Sequence, residues 1–263
     1  MKLDELVKYW KREEQAAKMT GWDFSHIAGR FSDGDDDLGW DFKSIVCSYL
    51  HDTDELLDTD TGGGEFLMSL GHPHEKTSAT EGWPPNVRYC KEHLIPLGID
   101  FRAADDPSAL PFPDAKFDIM INRHGEYDPK DVYRVLKPGG VFLTQQVGEE
   151  NDRALITRLL PDAEKTYPGH NLRTQTALFR DAGFIITEQA EAFRPIRFFD
   201  TGALVWFAKI IEWEFTGFSV DRCITQLADT EREIRRSGAV SGEIHRFYFV
   251  AQKPARGNEI KKG

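Results

Sequence analysis

The chain has 263 residues, 40% of them hydrophobic and 29% charged, which is enough apolar material for one large domain or for one domain with appendages. The formal net charge of −11 disfavours a nucleic-acid partner, which needs a basic face, without excluding a local basic patch, and it disfavours an anionic membrane surface. The first residues, MKLDELVKYWKREEQ, are charged and lack an apolar run, so we expect no signal peptide and a cytoplasmic location.

Cysteine and histidine spacing gives no sign of a metal centre. The three cysteines are far apart and form no CxxC pair: Cys47, Cys90 and Cys223. We therefore expect buried, reduced thiols rather than disulfides or zinc ligands. His72, His74 and Glu75 lack a second pair of ligands, and the acidic run at 33–37 lacks the glycine and distal glutamate of an EF-hand loop. The prediction is that the protein holds no metal.

Taken in chain order, the elements begin with an amphipathic helix over residues 3–19 and a second helix over 43–51, separated by an irregular stretch rich in aromatic and acidic residues. From residue 55, short apolar runs alternate with helical patterns. The predicted strands are 56–57, 77–80, 99–104, 117–122, 141–147, 184–191 and 245–251. The predicted helices begin near Phe66 and continue with 87–97, 128–136, 151–160 and 174–182, the last ending at Gly183, and two further helical patterns lie within 198–238. Lys137 to Gly140 is predicted to be a turn. Strands alternating with helices predict a mostly parallel sheet covered on both faces.

The segment LLDTDTGGGEF, residues 56–66, is the most informative part of the chain. An apolar strand ends at Asp58, and three glycines, Gly62 to Gly64, precede a helix. Glycine permits a sharp turn and a close approach of ligand to backbone, at the end of the strand where open α/β sheets bind ligands. An ordinary tight turn is the alternative interpretation. A dinucleotide fingerprint requires a third glycine, and Leu67 stands in that position.

Four segments resemble, in the right order, the motifs of class I S-adenosylmethionine-dependent methyltransferases: LLDTDTGGGEF, ATEGWPPNV, AADDPSALPFPDAKFDIMIN and VYRVLKPGGVFLTQQ. The resemblance covers roughly residues 43–190, and the order LPFPD, FD, LKPGG is typical of the small-molecule branch. It implies a Rossmann-like, doubly wound, mostly parallel seven-stranded sheet that binds S-adenosyl-L-methionine. We predict a helical or lid extension over 1–42, the cofactor-binding domain over 43–253 with a helical insertion over 198–238, and a flexible tail over 254–263.

The resemblance also implies which residues bind the cofactor: Asp58, Asp60, Gly62, Gly64, Glu81, Asp105, Asp106 and Asn122. Glu81 is expected to accept both ribose hydroxyls. Asp105 is favoured over Asp106 as the acceptor for the adenine amino group, because Pro107 has no N–H to contact the ring. Asp60 stands where the family usually has glycine. Its charge would either pair with the cofactor's ammonium or weaken binding of its carboxylate.

Methyl transfer requires a base only if the acceptor must lose a proton. His124 is our candidate, because imidazole titrates near neutral pH, although a structural role is an equal alternative. Glu126 would orient His124 or hold a cationic substrate. Gln145 and Gln146 are further polar candidates, of which strand alternation should direct only one toward the pocket.

Two sets of aromatic residues are predicted either to cover the acceptor as a lid or to anchor the appendages to the core. They are Trp22, Phe24, His26 and Trp40 in the N-terminal part, and Trp206, Phe207, Trp213 and Phe215 in the insertion. We predict a methyltransferase with an unidentified small-molecule acceptor. The alternatives are an inactive or regulatory S-adenosylmethionine-binding protein, an RNA or protein methyltransferase, and, more distantly, a nicotinamide oxidoreductase. The sequence leaves the oligomeric state open.

Overall fold

The computed structural model describes residues 2–18, 24–34 and 37–255. Within them the chain divides into two compact units. One unit comprises 1–38, 148–169 and 192–245, and the other comprises 39–147, 170–191 and 246–263. None of the helices in the described part has the length and apolar character needed to cross a bilayer. The assignment of separate roles to 1–42, 43–253 and 254–263 stays a prediction, and most of that tail lies outside the described residues.

Eight strands of the described residues form one sheet. Their bounds are β1 Phe31–Ser32, β2 Leu56–Thr59, β3 Thr77–Glu81, β4 Asp100–Ala103, β5 Phe117–Arg123, β6 Leu136–Val147, β7 Ile185–Phe198 and β8 Val240–Gln252. Their order in space is β1-β7-β8-β6-β5-β2-β3-β4. The pairs β2–β3, β2–β5, β3–β4 and β5–β6 are parallel, whereas β1–β7 and β6–β8 are antiparallel. The predicted Rossmann-like α/β sheet is confirmed.

The sheet has one strand more than the seven predicted. The additional strand, β1, is only two residues long, and it lies in the stretch that we predicted to be irregular. Phe31 pairs with Phe198 of β7, and the two rings stack with their centroids 5.9 Å apart. A two-residue strand is too short to show the alternation by which strands are found in a sequence.

The helices of the described residues are α1 Leu3–Ala16, α2 Phe42–Tyr49, α3 Glu65–Ser69, α4 Pro84–His93, α5 Pro129–Val135, α6 Arg153–Leu159, α7 Leu172–Asp181, α8 Thr201–Ile210 and α9 Ile224–Ser237. Four begin at a side chain that accepts a hydrogen bond from the backbone of the first turn: Asp41, Asp128, Asn171 and Asp200. The predicted stop after α7 is confirmed, because Gly183 has a φ of +101°.

Side chains on the two faces of the sheet enter two different apolar cores of the second unit. Ile119 and Ile121 of β5 pack with Phe42 and Val46 of α2 on one face. Met120, between them in the sequence, packs on the other face in an aromatic core. This alternation is what a sheet covered on both faces requires. The chain runs from β2 to β3 and β4 on one side, then crosses to β5 and β6 on the other side of β2. Ligands bind at such a switch point in open α/β sheets.

The segment from Lys137 to Gly140 is not the separate turn that we predicted. It belongs to β6, whose pairing with β5 shifts register between Phe117 and Ile119. Gly139 has a φ of +87° and donates its N–H to Lys253 at 2.9 Å. Proline and glycine therefore mark an irregularity within a strand here, as at a β-bulge, rather than its beginning.

Aromatic residues of the first unit pack against one another. Phe24 lies 6.0 Å from Trp206 and 6.1 Å from Phe207 between ring centroids, and His26 stacks on Trp206 at 5.3 Å. Trp206, Phe207 and Phe215 are buried, whereas Trp213 is 41% exposed. These contacts favour the anchoring role for most of the set. Trp22 lies outside the described residues.

Candidate functional site

A cleft of about 350 Å³ opens at the carboxyl ends of β2, β3 and β4. Its volume lies in the range of small-molecule sites, and its position is the switch point between β2 and β5. Five carboxylates line it: Asp60, Glu81, Asp105, Asp106 and Glu126. No lysine, arginine or histidine of the described chain is part of the lining. All five acids are among the site residues that the sequence predicted.

The glycine-rich turn after β2 depends on left-handed backbone. Gly62 and Gly64 have φ angles of +63° and +82°, a region that favours glycine. A Cβ on Gly62 would meet nothing within 4 Å, whereas a Cβ on Gly64 would lie 3.1 Å from the Leu94 side chain. The Thr61 N–H donates to the carbonyl of Thr80 at 3.0 Å, which ties the turn to β3. Neither glycine lines the cleft, so their direct contact with a cofactor stays a prediction.

The Glu81 carboxylate organises the turn from the neighbouring strand. It is buried, and it accepts the backbone N–H of Gly62 at 2.8 Å and the side-chain amide of Asn86 at 3.3 Å through Oε2. Oε1 accepts the backbone N–H groups of Gly82 at 3.0 Å and Trp83 at 2.9 Å. A carboxylate has about four acceptor positions, and protein donors engage all of them. Ribose hydroxyls would therefore have to share these positions, and Asn86 is the longest of the four contacts.

Asp60 lines the cleft, and its backbone fits the glycine-rich turn after β2. Its φ is +54°, which aspartate tolerates better than most residues. Its Oδ2 accepts the backbone N–H of Glu126 at 2.9 Å and so joins the ends of β2 and β5. A Cβ at Gly125 would lie only 2.4 Å from both Cβ and Oδ2 of Asp60. The acid at 60 and the glycine at 125 therefore fit as a pair.

Two acids at the end of β2 ionise with difficulty. Burial raises the pKa of Asp58 to about 7, and the charges of Asp60 and Glu81 act in the same direction, against the Thr61 hydroxyl that donates to it at 2.6 Å. Burial also raises the pKa of Asp60 to about 6, opposed by the Glu126 N–H. Asp58 supports the turn from beneath and does not line the cleft. A bound cation would relieve the repulsion among these acids.

Asp105 and Asp106 differ in what their side chains do. The Asp106 carboxylate accepts the backbone N–H and the hydroxyl of Ser108, at 2.8 Å and 2.6 Å, in a local turn. Asp105 has no hydrogen bond or ion pair with another described residue, and it lines the cleft. Gly82 allows β3 and β4 to end close together, because a Cβ there would lie 2.9 Å from the Cα of Asp105. Asp105 is therefore the acid available to a ligand.

Asn122 lies below the cleft and not in its lining. It is fully buried, and its amide nitrogen donates to the hydroxyl of Thr59 at 3.0 Å and to its carbonyl at 3.2 Å. Its oxygen accepts the Gln146 side chain at 2.7 Å. With its amide engaged at both ends, Asn122 braces β2 against β5 and β6. A direct contact with the cofactor stays a prediction that this geometry does not support.

Gln145 and Gln146 point to opposite faces of the sheet, as alternation predicted. Gln146 binds Asn122, whereas the Oε1 of Gln145 accepts the indole N–H of Trp40 at 2.8 Å. The Trp40 ring in turn lies 5.1 Å from the ring of Tyr248. Neither glutamine lines the cleft.

His124 follows β5 with a φ of +63°, and its N–H donates to the carbonyl of Gln145 at 2.9 Å. The surrounding protein and the positive charges of Arg246 and Arg123 lower the pKa of its imidazole. The residue is exposed, so water reduces the effect of burial, and the two arginine charges keep the pKa low. The ring is therefore neutral at physiological pH, but it is a weak base. His124 does not line the cleft, whereas Glu126 does.

Sequence reasoning missed part of the lining. The cleft is also lined by the apolar side chains of Leu110, Met120 and Val132. Trp83, which is 61% exposed, and Tyr127 were not singled out. Tyr127 directly follows Glu126, and Trp83 lies two residues after Glu81. Their position next to predicted acids was the signal in the sequence that could have identified them. The Tyr127 hydroxyl is buried without a hydrogen-bond partner among the described residues.

Metal-ligating side chains are not gathered anywhere in residues 2–18, 24–34 and 37–255 in a group of three or more. His72 and His74 instead contact the backbone carbonyls of Asp54 and Leu97, at 2.9 Å and 3.1 Å. The three cysteines are free. Cys47 is exposed, contrary to the expectation that all three would be buried, because it lies on the outer side of α2.

The strand order and the cleft at its switch point are those of a Rossmann-like α/β fold. Residues 57–144 match the family model described as "Methyltransferase domain". The chain therefore resembles methyltransferases over this segment. No curated protein sequence matches it.

Solved structures share this fold at low sequence identity. A protein from Bacillus halodurans, described as a candidate methyltransferase, is 16% identical with a TM-score of 0.57 and covers 82% of this chain and 99% of its own. The YcgJ protein from Bacillus subtilis is 18% identical with a TM-score of 0.56, covering 81% and 98%. A functionally unknown protein from Deinococcus radiodurans is 12% identical with a TM-score of 0.57, covering 95% and 98%. At these identities the likeness concerns the fold alone.

Proposed function

We propose that the protein binds S-adenosyl-L-methionine in the cleft and transfers its methyl group to a small-molecule acceptor. The observation that carries the proposal is the acidic lining, five carboxylates with no cationic side chain among the described lining residues. S-adenosylmethionine bears a sulfonium and an ammonium against one carboxylate, so a negative cleft attracts it. A dinucleotide would bring two phosphate charges into the same lining, which opposes the nicotinamide alternative.

The residues present fit this cofactor. Asp60 and Glu126 would face its positive groups. The two residues lie together at the end of the cleft, because the Asp60 carboxylate accepts the backbone N–H of Glu126. Glu81 would accept the ribose hydroxyls, and these would replace the hydrogen bond that the Asn86 side chain donates to it. Asp105 would accept the adenine amino group between the apolar side chains of the lining. The unpartnered Tyr127 hydroxyl offers one further donor.

When bound, the cofactor supplies an already activated methyl group, so much of the catalysis lies in holding the acceptor in line with it. This chain's residues would orient the two reactants and, where the acceptor carries a proton, accept it. His124 is neutral and could accept that proton, but its lowered pKa makes it a weak base. We propose a base role for His124 only for acceptors that need one.

Calorimetric titration of the wild-type chain tests the proposal. We expect S-adenosylmethionine to bind and NAD not to bind, and binding of NAD alone would overturn the proposal. Binding of S-adenosylmethionine without turnover on any acceptor would favour the regulatory alternative. Glu81→Ala is a poor probe, because it also removes the acceptor for the Gly62 N–H and so loosens the turn. Asp105→Asn changes one oxygen and leaves the observed hydrogen bonds of the cleft intact.

A further inference from the structure

Beside the acidic cleft, the second unit presents a group of hydrogen-bond donors. Arg123, at the end of β5, and Gln145 of β6 are register partners on adjacent parallel strands. Because adjacent strands lie about 4.8 Å apart, the two side chains start close together. Both belong to the sheet face of Ile121 and Leu143, which alternate with them along β5 and β6. Neither lines the cleft.

The Arg123 guanidinium contacts an aromatic ring, and its positive charge acts on the buried Asp58 and lowers the pKa of that carboxyl, against the larger effect of burial. It lies 5.3 Å from the centroid of the Phe66 ring, within the range of a cation–π contact. Phe66 is itself stacked on Phe42 at 5.7 Å. In the described part of the chain, the Arg123 guanidinium forms neither an ion pair nor a hydrogen bond within 4.0 Å and 3.5 Å respectively, and the residue is exposed. Its donors are therefore positioned and available.

Gln145 is oriented by Trp40. The indole N–H donates to Oε1, which fixes the amide so that its nitrogen faces away from the indole. That nitrogen has no hydrogen-bond partner among the described residues, although the residue as a whole is buried. Trp40 is held in turn by its contact with Tyr248. Side-chain amides gain selectivity when their rotation is fixed in this way.

We propose that Arg123 and Gln145 form the acceptor subsite of the proposed methyltransferase and that they select an acceptor bearing a carboxylate. The assignment of this subsite to the methyl acceptor rests on the proposed function. The recognition of an anion by these two side chains does not. A guanidinium and an amide N–H offer planar donors that match a carboxylate. The Arg123 charge is positive, whereas the neighbouring cleft is negative. The cleft would therefore bind a cationic ligand and the Arg123 subsite an anionic one, without competition between them. Trp40 is a positioning residue.

The probes are benzoate and benzamide, a charged and a neutral ligand of the same shape, titrated by ligand-observed NMR with and without saturating S-adenosylhomocysteine. We expect wild-type protein to bind benzoate at least about tenfold more tightly than benzamide. Arg123→Met should reduce that ratio to within about twofold, while Arg173→Met, an exposed arginine on α7, should leave it unchanged. Trp40→Phe, which removes the indole N–H that orients Gln145 and also shrinks the ring, should weaken benzoate more than benzamide.

Equal binding of the two probes by wild-type protein, or a ratio retained in Arg123→Met, would overturn the proposal. A parallel calorimetric titration with S-adenosylmethionine separates this result from failure of the proposed function. Arg123→Met should bind S-adenosylmethionine as the wild type does. Loss of that affinity would instead assign Arg123 to the cofactor's own carboxylate and also overturn the proposal. Benzoate selectivity in a wild-type protein that binds no S-adenosylmethionine would refute the proposed function and leave the anion site standing.

Discussion

Replacing Asp60 with asparagine should make the protein more stable and bind S-adenosylmethionine less tightly. Asparagine tolerates the left-handed backbone and can still accept the Glu126 N–H, so the change removes only the charge. In the folded protein the pKa of Asp60 is raised from 3.8 to about 6. At about 1.36 kcal/mol for each pH unit, ionising this side chain costs the folded state up to about 3 kcal/mol.

The raised pKa of Asp60 determines how the stability difference between variant and wild type changes with pH. Below about pH 4 the carboxyl is protonated in both the folded and the unfolded chain, so Asp60→Asn should change the free energy of unfolding little. Between about pH 4 and pH 6 the unfolded chain loses the proton while the folded chain keeps it, and the advantage of the variant grows. Above about pH 6 the advantage should be constant. Urea unfolding at pH 4, 6 and 8 measures it, with Asp52→Asn, an exposed acid, as the matched control.

Cofactor affinity should change in the opposite direction. At pH 8 the variant lacks a charge that attracts the ammonium and sulfonium, and we expect roughly tenfold weaker binding of S-adenosylmethionine, well below the unscreened Coulomb limit. At pH 5 the difference should shrink, because wild-type Asp60 is then largely protonated. A variant that is no more stable than the wild type at pH 8, or whose gain is the same at pH 4, would refute this reasoning.

Three further outcomes follow from the same site. Gly125→Ala should lower the free energy of unfolding by about 1–3 kcal/mol, measured by urea denaturation, because the new Cβ meets Asp60 at 2.4 Å, and the added change Asp60→Gly should recover part of the loss. Asp105→Asn should weaken S-adenosylmethionine in calorimetry, while Asp106→Asn, which keeps its turn with Ser108, should not; equal effects would remove the distinction. His124→Ala should lower turnover of an acceptor that must lose a proton more than it lowers cofactor affinity, and full activity would end the base role.

The sequence was sufficient to locate the cleft because its signals are local. An acid that ends a buried strand is visible in the sequence, as at Asp58, Glu81 and Asp105. Parallel strands bring their carboxyl ends to one edge, so three such acids were expected to converge there. The fold prediction succeeded for the same reason, since periodicity and the positions of glycine are local features.

The parts that the sequence did not reveal depend on contacts between distant residues. The fit of Asp60 to Gly125 joins positions 65 residues apart in the numbering, and the bond from Trp40 to Gln145 spans 105. Nothing near Gly125 in the sequence shows which side chain requires its missing Cβ. The hydrogen bonds that hold Asn122 beneath the cleft are likewise invisible in a motif.

The most direct test of the central claim is a crystal structure of the wild-type protein with S-adenosylmethionine. The ribose hydroxyls should lie within hydrogen-bond distance of the Glu81 carboxylate, with the adenine amino group at Asp105 and the ammonium beside Asp60. A cofactor bound away from this acidic cleft, or a cleft that stays empty at saturating cofactor, would contradict the account.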